Sequence, residues 1–210
     1  MKTNLFLVAG LFLLLTAAHA QEKYGVRAGL NVANMSQAFN SELDNPLPRP
    51  AWFAGFTADY ILLKNYVYFQ PGLLFNKKGF LLNDPDLNTR SVTSLNYLEV
   101  PLNIVVKFGK PLSYTKFYLS AGGYGALGLG GKTKVRVNGE RTEQYNVRFD
   151  KSLKRLDYGL SAGLGFQFDY VQLGVFYQQG LRNLSGDGTS TNARNQVFGV
   201  SFGYLFDDLF

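Results

Sequence analysis

Residues 24–34 read YGVRAGLNVAN, and the fold turns on where the two faces of this segment point. Tyr24, Val26, Ala28, Leu30 and Val32 alternate with Gly25, Arg27, Gly29 and Asn31. A period of two is the signature of a β-strand with unlike faces. In a water-soluble sheet the apolar face would cover a core; in a membrane barrel it would meet lipid.

The same pattern returns along the chain. WFAGFTADY places Trp52, Ala54, Phe56, Ala58 and Tyr60 against Phe53, Gly55, Thr57 and Asp59. YVYFQPGLLFN sets Val67, Phe69, Leu73 and Phe75 against Tyr68, Gln70, Gly72 and Asn76. LNYLEVPLNIVVKF sets Leu98, Val100, Leu102, Ile104 and Val106 against Tyr97, Glu99, Asn103 and Lys107. KFYLSAGGYGAL alternates more weakly, with Phe117, Leu119 and Ala121 on one side. LDYGLSAGLGFQF is regular from Tyr158 to Phe168, VQLGVFYQQGL follows a tight Asp169–Tyr170 link, and NQVFGVSFGYLF carries Phe198, Val200, Phe202, Tyr204 and Phe206 on one face.

This makes about eight strands of roughly ten residues, the span of a tilted strand through a bilayer. The links alternate long and short, as in barrels with short periplasmic turns and long external loops. Segments 35–51, 78–94, 128–155 and 183–194 are expected to be the long loops. An eight-stranded barrel encloses little room, so the face rich in Gly, Ser, Thr, Asn and Gln suits the interior and the large apolar face suits lipid. The expected fold is all-β, an eight-stranded antiparallel transmembrane up-and-down barrel over residues 21–210. A soluble lipocalin-like barrel is the alternative. Pro71 and Pro101 fall inside strands, where each removes a ladder donor, and are read as bulges.

The first 20 residues, MKTNLFLVAGLFLLLTAAHA, have Lys2, an apolar run and Ala18-His19-Ala20. This is the pattern of a secretory signal peptide. Its removal would take Lys2 with it, lowering the formal charge from +6 to +5. It would also take the one His, and the chain has no Cys. The mature protein would then lack Ser-His-Asp triads, Cys nucleophiles and His- or Cys-bound zinc. No catalytic, cofactor-binding or metal-ligating residue is assigned, no cofactor is expected, and the protein is not expected to be an enzyme. Basic residues are scattered rather than gathered in a nucleic-acid-binding arm, so no nucleic acid is expected.

Two glycine motifs stand out against this background. Gly123–Gly128 matches G-x-G-x-x-G, and ALGLGGKT at 126–133 misses a P-loop by its first glycine. Both need a following helix, and KVRVNGERTEQYNVRF reads as strand and loop. The inward charges Arg27, Asp59, Glu99, Lys107 and Asp157 are costly to bury alone. They suggest a salt-bridged plug, with Arg27 meeting Asp59. Lys132, Lys134, Arg136, Arg141, Arg148, Lys151, Lys154 and Arg155 would solvate a loop or engage anionic lipopolysaccharide.

YGVRAGLNVANMS, LNYLEVPLNIVVKFG, LDYGLSAGLGFQF, YQQGLRNL and FGVSFGYLF together resemble the PorT-type outer-membrane β-barrel family of Bacteroidota. The resemblance covers nearly the whole mature chain. It implies an outer-membrane location; an even number of strands with the first link long would put both termini on the periplasmic side and the long loops outside. The implied partners are outer-membrane lipid and lipopolysaccharide, the barrel assembly machinery, and secretion-system components as for the family's namesake. The expected role is structural or accessory, with a narrow pore for small solutes as the alternative. Phe206 or Phe210 is the candidate terminal aromatic for assembly.

Overall fold

The computed structural model describes residues 22–36, 46–63, 66–84, 88–109, 114–138, 140–147, 149, 153–186 and 192–207. The expected signal peptide, Arg148, Lys151 and Phe210 lie outside them. Nine strands follow one another: β1 (Glu22–Ser36), β2 (Leu47–Leu63), β3 (Val67–Asp84), β4 (Thr89–Phe108), β5 (Thr115–Val137), β6 (Glu140–Val147), β7 (Leu156–Phe168), β8 (Val171–Gly180) and β9 (Arg194–Asp207). Every pairing between them is antiparallel.

Eight of the strands close a ring. β1 pairs with β2 on one side and β9 on the other, and β5 pairs with both β4 and β7. Closure removes the sheet edges that would otherwise be left without partners. The ninth strand, β6, stands outside the ring. It pairs with Gly131–Val137 of β5, above the stretch Thr115–Leu127 that pairs with β7.

Lys23 of β1 lies opposite Asp207 of β9, so the first and last strands meet at the end where β2 passes to β3, β4 to β5 and β7 to β8 through the short links 64–66, 109–114 and 169–170. This is the near end. Asp169 adopts φ 52° there, a left-handed conformation that Asp tolerates, and the turn closes in two residues. At the far end the strands outrun the expected ten residues. β3, β4 and β5 span 18, 20 and 23 residues, while β8 has ten. Segment 78–94, expected as a loop, is therefore mostly the β3–β4 hairpin. The first part of 128–155 is the β5–β6 hairpin. The alternation simply continues past the apolar band, so the ladder does too. The two hairpin tips touch, Asn138 N–H donating to the Asn88 carbonyl at 3.1 Å. The rim is thus a tall wall on one side and low on the other.

The apolar face points outward, as the alternation predicts. Leu30 is 66% and Phe56 68% exposed, with Leu98, Leu102, Ile104, Leu160, Phe166, Val200 and Phe202 exposed beside them. On β4 the outward apolar run goes from Leu98 to Phe108. That is about 33 Å of strand, or about 25 Å of height at barrel tilt, the thickness of the apolar band of an outer-membrane barrel. Among the described residues the interior is filled by side chains, without the open ligand cavity of a lipocalin-like barrel.

Pro71 and Pro101 are not bulges. Pairing breaks off after Pro71–Leu102 and resumes at Leu74–Glu99 in the same register. The inward-facing Pro101 ring occupies the space a side chain at Gly72 would need, 3.1 Å from that position. An irregularity that changes the facing of a strand lies further on. Asn96 pairs with Gly130 and Tyr97 with Gly128, so Leu129 is extra and β5 reverses its facing. Below it Tyr118, Tyr124 and Ala126 point inward; above it Lys132, Lys134 and Arg136 are outward and exposed.

Candidate functional site

The lumen is where this chain concentrates its buried polar chemistry. Arg27, Asp59, Glu99, Lys107 and Asp157 all point into it, as expected. Lys78 joins them, fully buried. Its place in 78–94, a segment whose composition reads as loop, hides it in the sequence. The sign that could have found it is parity: Asn76, Lys78, Phe80 and Leu82 continue the inward face of β3. These six charges, three of each sign, cancel.

They form separate layers. Nearest the turns, Lys107 Nζ lies 2.6 Å from Asp59 Oδ2 and 3.9 Å from the centre of the Tyr68 ring. Gln70 Nε2 donates to the other Asp59 oxygen at 2.6 Å. Gln172 donates to Gln167 at 3.2 Å and extends the layer across the barrel. The expected Arg27–Asp59 pair is not made. Lys23, not Arg27, is opposite Asp59, and Arg27 is opposite Gly55. Four residues of offset separate the two by about 13 Å along the strand.

Arg27 instead sits in a middle layer. Its Nη2 donates to Ser201 Oγ at 3.2 Å, and its guanidinium lies 5.9 Å from the Phe176 ring centre. Ser161 donates to Asn103 at 2.6 Å nearby. Large side chains fit here only because glycines face them. A Cβ on Gly165 would lie 2.7 Å from the Tyr118 hydroxyl, and one on Gly199 would lie 2.6 Å from Phe176. The cavity left beside Arg27, Phe53, Glu99 and Gln178 is about 20 Å³, room for about one water.

The third layer centres on Lys78. Its Nζ is 2.9 Å from Glu99 Oε2 and 3.5 Å from Asp157 Oδ2, and 4.2 Å from the Tyr124 ring centre. Glu99 also accepts from Gln178 at 2.6 Å and Asn76 at 3.0 Å. Asp157 accepts from Asn195 at 2.8 Å and Tyr124 at 3.3 Å. Burial of a charge is tolerated when ion pairing and hydrogen bonds replace its water. The carboxylates are held by several partners and face no open cleft.

Above this layer the interior turns apolar, against the expectation of a polar lumen throughout. Met35, Phe80, Leu95, Tyr97, Tyr124, Ala126, Phe149, Leu184 and Ala193 form a buried cluster. Phe149 comes from beyond β6 and packs edge-on against Tyr97, ring centres 5.8 Å apart. Gly128 leaves it space, since a Cβ there would lie 2.5 Å from the ring. Leu184 is tied down by backbone bonds from Lys154 N–H and to Ala193 O, at 2.9 and 2.7 Å.

The remaining motifs resolve simply. Gly123–Gly128 lies within β5, with no helix to present N–H groups to an anion. Of the basic residues expected in a loop, Lys132, Lys134 and Arg136 are on β5 and Arg141 is on β6, while Lys154 and Arg155 lie just before β7. Phe206 lies in β9, its ring 5.1 Å from that of Tyr204.

Comparison with known proteins agrees with this architecture. Among solved structures the chain is similar to the outer membrane protein OprG from Pseudomonas aeruginosa. The TM-score is 0.50 at 12% identity, over 91% of this chain and 99% of that one. It is also similar to Neisserial surface protein A, with TM-score 0.48 at 14% identity, over 87% and 97%. Likeness at such identity concerns the fold alone. No curated protein matches it in sequence. The model of the outer membrane protein beta-barrel domain family matches residues 19–186. With most of its length matched and its apolar face turned outward around a closed ring, the chain belongs to the outer membrane protein beta-barrel domain family.

Proposed function

We propose that the protein is a non-conducting, non-enzymatic barrel of the outer membrane with a structural or accessory role. Its near end faces the periplasm and its far end the outside. The observation that carries this reading is the filled lumen: three polar layers and an apolar cap leave no continuous path. A narrow pore would need such a path. Reconstitution in planar bilayers tests it. The expected record has no steps above the lipid background, and reproducible unitary steps would establish the pore instead.

The accessory role is assigned to protein secretion, as for the namesake of the PorT-type family, on the strength of the sequence resemblance. Partners in this reading are secretion-system components, the assembly machinery during biogenesis, and surrounding lipid including lipopolysaccharide. Quantitative proteomics of culture supernatant and periplasm in a deletion strain, with complementation, tests the role. Exported proteins should collect in the periplasm, and unchanged export would leave a purely structural barrel.

A further inference from the structure

The β5 bulge at Leu129 turns three cations outward. Lys132, Lys134 and Arg136 occupy successive outward positions of the tall wall and are exposed, at spacings of about 7 Å. On the neighbouring strand Arg90 lies directly opposite Arg136 and is exposed. The register places Arg141 opposite Arg136 as well. Below them Lys77 Nζ lies 4.9 Å from the Trp52 ring centre, where the apolar band gives way to polar residues. The other outward side chains described on this wall include Asn83, Asn96, Ser94, Gln144 and Asn146; no carboxylate is among them.

Like charges facing each other across a ladder destabilise it. An all-cation face that begins at the lipid boundary is therefore matched to a multivalent anion reached from the membrane. We propose that Lys77, Arg90, Lys132, Lys134 and Arg136 form a binding face for the phosphate groups of a phosphorylated glycolipid in the adjoining leaflet. The face is continuous with the lipid-covered wall, which commits it to a lipid headgroup rather than a soluble anion. On the proposed orientation that lipid is lipopolysaccharide, and this assignment of source rests on that reading. Bidentate guanidinium–phosphate contacts would come from the arginines at the top.

Titration of the purified full chain in nonionic detergent tests the site, with lipopolysaccharide, dephosphorylated lipopolysaccharide and inorganic phosphate as probes. The K132Q/K134Q/R136Q variant should bind lipopolysaccharide about a hundredfold more weakly, at roughly fivefold per cation near a surface. R155Q/R182Q/R194Q, which removes equal charge from the low side of the rim, should bind as the parent does. Equal loss in both variants, or none in the first, overturns the site. Equal parental affinity for inorganic phosphate, or for the dephosphorylated lipid, overturns the phosphorylated-lipid assignment.

The single variant Arg136→Gln supplies a second readout. It should melt higher than the parent in lipid-free detergent, because a like-charge row is relieved. It should gain less from added lipopolysaccharide. A lower melt without lipid and an undiminished gain with it would count against the site. Orientation is read separately in intact cells, with Asn138→Cys at the hairpin tip of this cysteine-free chain. Labelling by an impermeant maleimide places the wall outside. If only lysed cells label, the orientation and the lipopolysaccharide assignment fall while the detergent titration still decides the phosphate face.

Discussion

Asp59 and Lys107 show what a buried charge needs at the scale of a residue. Lys107→Ala would leave Asp59 deep in the lumen with its cation removed. Breaking one side of a buried pair costs about 3–5 kcal/mol, and urea unfolding in lipid vesicles should register a loss of that order. The double variant D59L/K107M, apolar on both sides, should unfold closer to the parent than either single change. Tyr118 makes the complementary case for volume. Gly174→Leu would drive a side chain into the Tyr118 hydroxyl, so the heat-modifiable band of the folded barrel should weaken on gels, with recovery in G174L/Y118A. Five of the six lumenal charges were legible in the sequence, because each stands on the polar side of an alternating run. Their partners were not. Pairing depends on stagger between strands, and a single strand carries no record of its neighbour's offset.

At the scale of the element, alternation identified the outward faces of the strands and left their lengths unread. The polar composition of 78–94 resembles a loop, yet Thr93 and Thr133 still meet hydroxyl to hydroxyl at 3.0 Å across β4 and β5. A hairpin that has left the lipid needs no apolar outward face, so the usual signal fades where the strand does not. The bulge was equally silent, since LGLGG fits a glycine-rich strand in either phase. Two changes probe these elements. Leu102→Arg, at the middle of the apolar band, should cost about 2–4 kcal/mol in vesicle-based unfolding. Deleting Gly130 would remove the extra residue and give β5 one unbroken alternation, with Leu129 opposite Asn96 and Lys132 still opposite Ser94 and outward, so limited proteolysis should leave 131–147 as resistant as in the parent.

For the molecule as a whole, the sealed interior has two independent closures, an apolar cap and charged layers beneath it. Phe149→Ala should therefore lower stability by about 3–5 kcal/mol while bilayer recordings stay flat, because Lys78, Glu99 and Asp157 still fill the cross-section. The cap was illegible in the sequence: Phe149 reaches Tyr97 across more than 50 residues, and no local pattern announces such a contact. The ring itself has a seam, and that seam joins the first strand to the last. β1 is made before the other strands of the ring, yet its partner on one side, β9, is made after all of them. Until then β1 has an open edge, able to pair with any extended chain nearby. The ring therefore closes last at this seam, through the pairing of β1 with β9.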